Sequence, residues 1–202
     1  MASIDFWFSI GSTYTFLAVM RLSQIAAKSG VEFDWHPFNV RAIMIEMDNI
    51  PFAKKPVKAA YMWRDIERRA AKFGLTARFP IPYPLTELEQ ANRVAVLAAA
   101  EGWCAAYTVA AYERWFVNGE AAGSEPNLSA SIAAAGQDAE RVLKMANSEA
   151  GIDALYAATD EARGLGIFGS PSFVVDGELF WGHDRLDDAI EWQTNLDRAT
   201  PG

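Results

Sequence analysis

Ser3-Ile4-Asp5-Phe6-Trp7-Phe8-Ser9-Ile10-Gly11-Ser12-Thr13-Tyr14-Thr15-Phe16-Leu17 is the stretch on which the fold turns. In residues 3 to 9, Ile4, Phe6 and Phe8 alternate with Asp5, Trp7 and Ser9, the period-two pattern of a strand rich in aromatic residues. Gly11 lets the chain turn, and Tyr14 to Met20 is almost wholly apolar, as in a helix packed deep against a sheet. The helix is expected to end at Gly30, after Lys28, where a left-handed cap is natural. Val31 to Phe38 then reads as a second strand, which completes a βαβ unit.

Beyond Val40 the character changes. Asn49 to Pro56 is a loop punctuated by Pro51 and Pro56, followed by Ala59, Met62, Ile66, Ala70 and Phe73 at helical spacing as far as Gly74. Residues 79 to 84 form a proline-rich connection. Thr86 to Glu120 and Leu128 to about Arg163 carry alanine-rich helical patterns, with breaks expected near Gly102, Gly123, Pro126, Gly136 and Gly151. Strand character returns after Gly166 in Ser172-Phe173-Val174-Val175 and Glu178-Leu179-Phe180-Trp181, joined by Asp176-Gly177, a hairpin turn whose two residues both tolerate positive φ. A last helix is expected near Asp184, burying Leu186, Ala189 and Ile190. The order βαβ, helical block, hairpin, helix predicts an α/β thioredoxin-like fold with a large inserted all-helical domain. The thioredoxin-like part takes residues 1–41 and 166–202, and the insertion takes 42–165.

Composition narrows the setting. With 202 residues and 51% hydrophobic composition the chain can bury a substantial core. A net charge of -8 argues against nucleic acid as partner, because phosphate binding relies on clustered Lys and Arg. No secretory signal and no bilayer-spanning apolar run is visible, so no membrane partner is expected. One cysteine, Cys104, cannot build an internal disulfide framework, which suits a cytoplasmic location. His36 and His183 are the only histidines, so no metal site is expected. Cys104 reads as a small buried hydrophobe.

Asp5-Phe6-Trp7-Phe8-Ser9, Ser12-x-Tyr14, Asn49 with Lys58 nine residues on, Phe168-Gly169-Ser170-Pro171 and Trp181-Gly182-His183-Asp184-Arg185 occur in an order and spacing that resembles one family. It is the kappa-class glutathione transferases and 2-hydroxychromene-2-carboxylate isomerases, in the DsbA-like branch of thioredoxin folds. The resemblance covers essentially the whole chain. Serine stands where a redox relative has its reactive cysteine, and Thr15 stands where the second cysteine of a Cys-x-x-Cys pair would be, which excludes a disulfide oxidoreductase. The family usually has proline after this serine; Thr13 stands here.

The resemblance implies glutathione as cofactor and gives several residues a role. Ser12, ahead of a helix whose positive end favours an anion, would donate a hydrogen bond to the glutathione sulfur; its alternative reading is an ordinary helix cap. Ser170 and Pro171 would present a backbone edge across a cis bond to the cysteinyl unit, whereas the residues alone favour trans and a plain strand start. Asn49 and Lys58 would meet the glycine end, though Lys58 reads equally as one of four lysines between residues 54 and 72 that solvate a helix. His183 and Asp184 would hold the γ-glutamyl end, while Asp184 also suits a helix cap and Arg185 an ion pair. Tyr61, Trp63, Tyr107, Tyr112 and Trp115 read mainly as core, some of them lining a pocket for the second substrate, and Pro82 and Pro84 fit a pocket wall or a linker equally.

Three functions follow. The first is a glutathione-dependent isomerase that interconverts 2-hydroxychromene-2-carboxylate and trans-o-hydroxybenzylidenepyruvate, or a similar small aromatic-derived substrate. The second is a kappa-like transferase that releases the adduct, and the third a redox-silent protein that binds peptides in the Pro171 groove. A homodimer is expected by analogy alone.

Overall fold

Strand β1 (Ser3–Phe8) lies at the centre of a four-stranded sheet ordered β2-β1-β3-β4. The computed structural model describes residues 3–49, 52 and 55–199. Helix α1 (Thr15–Ser29) crosses from β1 to the parallel strand β2 (Glu32–Pro37), and Gly30 closes the helix with φ 74°, the left-handed cap expected there. The antiparallel hairpin of β3 (Ser172–Val175) and β4 (Glu178–Trp181) completes the sheet, turning at Asp176 and Gly177, both at positive φ.

In register, Phe6 sits between Trp35 of β2 and Phe173 of β3, and its ring lies 5.0 Å and 5.4 Å from theirs. Ile4, Phe6 and Phe8 face the main core with α1 and with α9 (Leu186–Ala199). Trp7 points the other way, into a second cluster with Phe38, Val40, Ile43, Ala162, Ile167 and Val174. The alternation in β1 therefore marks two buried faces, not one buried and one wet face, as befits a strand covered on both sides.

Between β2 and β3 run α2 (Val40–Glu46), α3 (Pro56–Lys72), α4 (Leu88–Glu101), α5 (Cys104–Glu113), α6 (Asn127–Ala134), α7 (Ala139–Ala146) and α8 (Glu149–Gly164). Helix α2 goes beyond the sequence reading; the Asn39 side chain starts it by accepting from the Ala42 N–H, and it buries Val40 and Ile43. At the end of α5 the chain widens into a π-helical turn, Arg114–Asn118, which lets the adjacent Trp115 and Phe116 both be fully buried. Gly151 does not interrupt the helical run. It lies in the first turn of α8 and donates its N–H to Ser148 Oγ, so the break falls one cap earlier. A 3₁₀ turn, His183–Arg185, precedes α9, so the last helix proper begins two residues after Asp184.

The inserted helices share their interior with the sheet. Phe16 of α1 stacks on Phe116 at 4.0 Å between ring centres, and one apolar cluster runs from Phe6 and Phe8 through these rings to Tyr112, Val94 and Ile132. Among the described residues no helix is long and apolar enough to cross a membrane.

Candidate active site

The loop from Ser9 to Tyr14 joins β1 to α1, and the inserted helices hold it in place. Asn92 of α4, wholly buried, accepts from the Ile10 N–H at 2.8 Å and donates to the Ile10 carbonyl at 2.9 Å. The Tyr112 hydroxyl of α5 donates to the carbonyl oxygens of Ser9 and Ser12 at 3.1 Å and 3.0 Å. Burial pushes the ionisation of Tyr112 far above the ordinary phenol, so it stays a neutral donor. Gly11 adopts φ 128°, and a Cβ there would come 2.3 Å from Leu88 Cδ1.

Ser12 does not cap α1. The helix has Tyr14 at its cap position without a side-chain cap bond, and the Ser12 hydroxyl instead donates to the Ser170 carbonyl at 2.6 Å. Ser170 precedes Pro171 across a cis peptide bond. The Ser170 hydroxyl accepts from the Ser9 N–H at 2.8 Å and shares a hydrogen bond with Thr15 Oγ1, also at 2.8 Å. Thus three hydroxyl groups, those of Ser12, Thr15 and Ser170, join the start of α1 to the start of β3. No acidic residue occupies the first turn of α1, which leaves its positive end uncompensated by a carboxylate of its own. Thr13 turns inward and hydrogen-bonds the Met62 sulfur at 3.1 Å.

Ser12 and Ser170 open onto a cavity of about 490 Å³ closed by α2, α3 and the proline-rich connection. Asn49 and Lys58 line it with them, so four of the residues singled out from sequence meet at one place. Tyr61, Tyr83, Pro84, Phe168 and Trp181 add rings to its wall. Among the described residues, the charged side chains of its lining are Arg41, Lys55 and Lys58, all cationic, in a chain whose net charge is -8. Tyr107, Tyr112 and Trp115 are core, with no exposed surface.

His183 and Asp184 stand apart from that lining. His183 is buried, stacked on the Tyr14 ring at 5.6 Å and edge-on to Phe73. Burial, reinforced by Arg69, lowers its pKa to about 4. Asp184 pairs with Arg185 and does not cap a helix; Arg185 also pairs with Asp188. The Tyr14 hydroxyl donates to Asp65, which also receives Arg69, so the turn at His183 backs the wall formed by Tyr14. Cys104 lies in the core, where burial pushes its thiol up to about 12.

Sequence reasoning overlooked Asn92 and Arg41, and it read Thr15 only as the place of a missing second cysteine, not as a partner of Ser170. Asn92 had a visible signal: a polar residue on the stripe Leu88, Ala91, Ala95, Ala98 must find partners when buried. Among the described residues, no cluster of three or more His, Cys, Asp or Glu side chains could hold a metal.

A fold with this sheet order, a cis-proline start to β3 and a nucleophile-position serine ahead of α1 is that of a thioredoxin relative. A model of the DSBA-like thioredoxin domain matches residues 3–191, and the chain belongs to that family. It is similar to the 2-hydroxychromene-2-carboxylate isomerase of Sphingobium xenophagum, with 29% identity over 187 residues, 92% of this chain and 94% of the relative. The enzyme of that name from Pseudomonas putida is 25% identical, with 91% and 90% covered. A solved structure of 2-hydroxychromene-2-carboxylate isomerase matches with a TM-score of 0.86 at 25% identity, over 98% of this chain and 97% of that one.

Proposed function

We propose that the protein is a glutathione-dependent isomerase of an unsaturated, aromatic-derived keto acid, like the 2-hydroxychromene-2-carboxylate isomerases it resembles. What carries the reading is the Ser12 hydroxyl, held against the Ser170 carbonyl at the positive end of α1 and open to a cavity without a carboxylate among the described residues of its lining. The residues fit glutathione. Ser170 offers a backbone edge beside the cis bond, and the cationic lining suits a tripeptide that carries two carboxylates. Asn49 and Lys58 would hold its glycine end, while His183 and Asp184, which stand apart from the cavity lining, would act on the other end only through the Tyr14 wall that they back. When bound, glutathione supplies a thiolate that can add to a conjugated double bond and leave again, so that the bond rotates in between.

The chain's own part is electrostatic and geometric. Ser12 turns its hydroxyl from the Ser170 carbonyl toward the sulfur and, with the N–H groups opening α1, favours the ionised form. Asn92 and Tyr112 keep the loop from following that rotation. The half-buried rings of Tyr83 and Phe168 would lay a flat substrate beside the reactive position. Cys104 takes no part, so no protein thioether forms.

Ser12→Ala is expected to retain glutathione binding, to raise the pKa of the bound thiol, and to cut turnover about 10²-fold or more, as expected when one anion-stabilising donor is lost. Ultraviolet titration of the bound thiolate measures this. Identical titration curves for the variant and the parent would reduce Ser12 to a structural contact. Difference density after a glutathione soak shows independently whether the sulfur lies beside Oγ.

A further inference from the structure

Among the described residues, Arg41 is the one cation of the cavity lining that is half-buried, Lys55 and Lys58 being exposed. It projects from the first turn of α2, and its Nη2 donates to the Leu85 carbonyl at 3.1 Å, which fixes the guanidinium against the proline-rich connection. Among the described residues no carboxylate pairs with it, whereas Arg114, Arg141 and Arg163 each have a Glu within 4 Å. Its neighbours on the cavity wall are apolar or aromatic: Met44, Ile45, Tyr83, Pro84 and Leu88. Tyr83 lies close enough for the arginine's charge to bear on its phenol, which burial keeps protonated. A half-buried guanidinium in such a wall, with donors to spare, is an incomplete site: an anion that brings its own flat apolar body would complete it.

We propose that Arg41 binds the carboxylate of the second substrate, with Tyr83 as the neighbouring donor, and so selects planar aromatic 2-oxo acids over their neutral counterparts. This rests on the isomerase reading and adds to it a specificity residue on the first turn of α2. The cavity lining thereby offers an anion two kinds of cation, the exposed Lys55 and Lys58 and the half-buried Arg41. Arginine suits the half-buried place because its planar fork can engage a carboxylate with two N–H groups while a third holds Leu85.

The test uses benzylidenepyruvate and its methyl ester, titrated calorimetrically into the full chain without glutathione, so that its outcome does not depend on the thiolate. The parent should bind the acid at least tenfold more tightly than the ester. Arg41→Gln, which keeps an N–H for Leu85, should weaken the acid about 10- to 100-fold, the loss expected for a hydrogen bond to a charged group, and leave the ester unchanged. Arg41→Lys, which keeps the cation, should restore part of the preference. With glutathione present, Arg41→Gln should raise KM for the acid while the pKa of the bound thiol stays at the parent value. Equal affinities for acid and ester in the parent, or an acid affinity untouched by Arg41→Gln, overturn the proposal. A parent that binds the acid through Arg41 but shows no glutathione thiolate leaves it standing and removes the isomerase reading instead.

Discussion

Asn92 shows how a single buried amide can hold the loop between β1 and α1. It answers both backbone groups of Ile10 and also donates to the Leu88 carbonyl at 2.8 Å, all without contact with water. Asn92→Leu keeps the volume and strands the Ile10 N–H and C=O in the interior. The expected cost is about 3 kcal/mol, a fall in Tm of about 6–12 °C for a chain of this size. Tyr112→Phe removes a donor from two carbonyls, one of which still accepts the Ser12 N–H, and should cost only about 1 kcal/mol. Thermal melts of both variants check the order; equal melting points would mean that the loop is held by something other than the amide.

At the scale of elements, the 3₁₀ turn before α9 carries a pH dependence. His183 is pressed between Tyr14 and Phe73, with Arg69, Arg21, Asp65 and Asp184 as its charged neighbours. Its pKa in the fold is about 4, against 6.5 for a free imidazole. The unfolded chain therefore takes up this proton more readily, and the contribution present above pH 6.5 is lost as pH falls towards 4. About 3 kcal/mol is at stake. Urea unfolding across that window should show the slope in the parent and a weaker one in His183→Gln; parallel slopes would place the proton elsewhere. Strands β1 to β4 and helices α1 and α3 were legible because period and punctuation agree, as at Gly30 and Asp176-Gly177. Helix α2 was not legible, since its seven residues carry too few apolar repeats and its signal lies in the Asn39 cap. Ser12, Ser170, Asn49 and Lys58 could be found because they occupy motif positions. Arg41 could not, and Asn92 could be read only as a buried polar residue in need of partners, because what matters about them is which distant backbone they reach: Leu85 in one case and Ile10 in the other.

For the whole molecule, the continuous interior from Phe8 through Phe16 and Phe116 to Ile132 predicts one cooperative unfolding event despite the inserted helices. Far-ultraviolet dichroism, dominated by the helices, and tryptophan emission, to which Trp7 and Trp35 of the sheet contribute, should melt together; separate midpoints would mean that the helical block comes away first. The bracing of Ser9, Ile10 and Ser12 by α4 and α5 bears on portability. A minimal graft made by excising the chain between β2 and β3 would keep the sheet, the serine and the cis-proline. It would discard every side chain that answers the Ile10 amide and the Ser12 carbonyl, and it would strip the aromatic cover from α1. The chemistry of this site therefore cannot be miniaturised onto a bare sheet-and-helix scaffold, because its scaffold is the insertion itself.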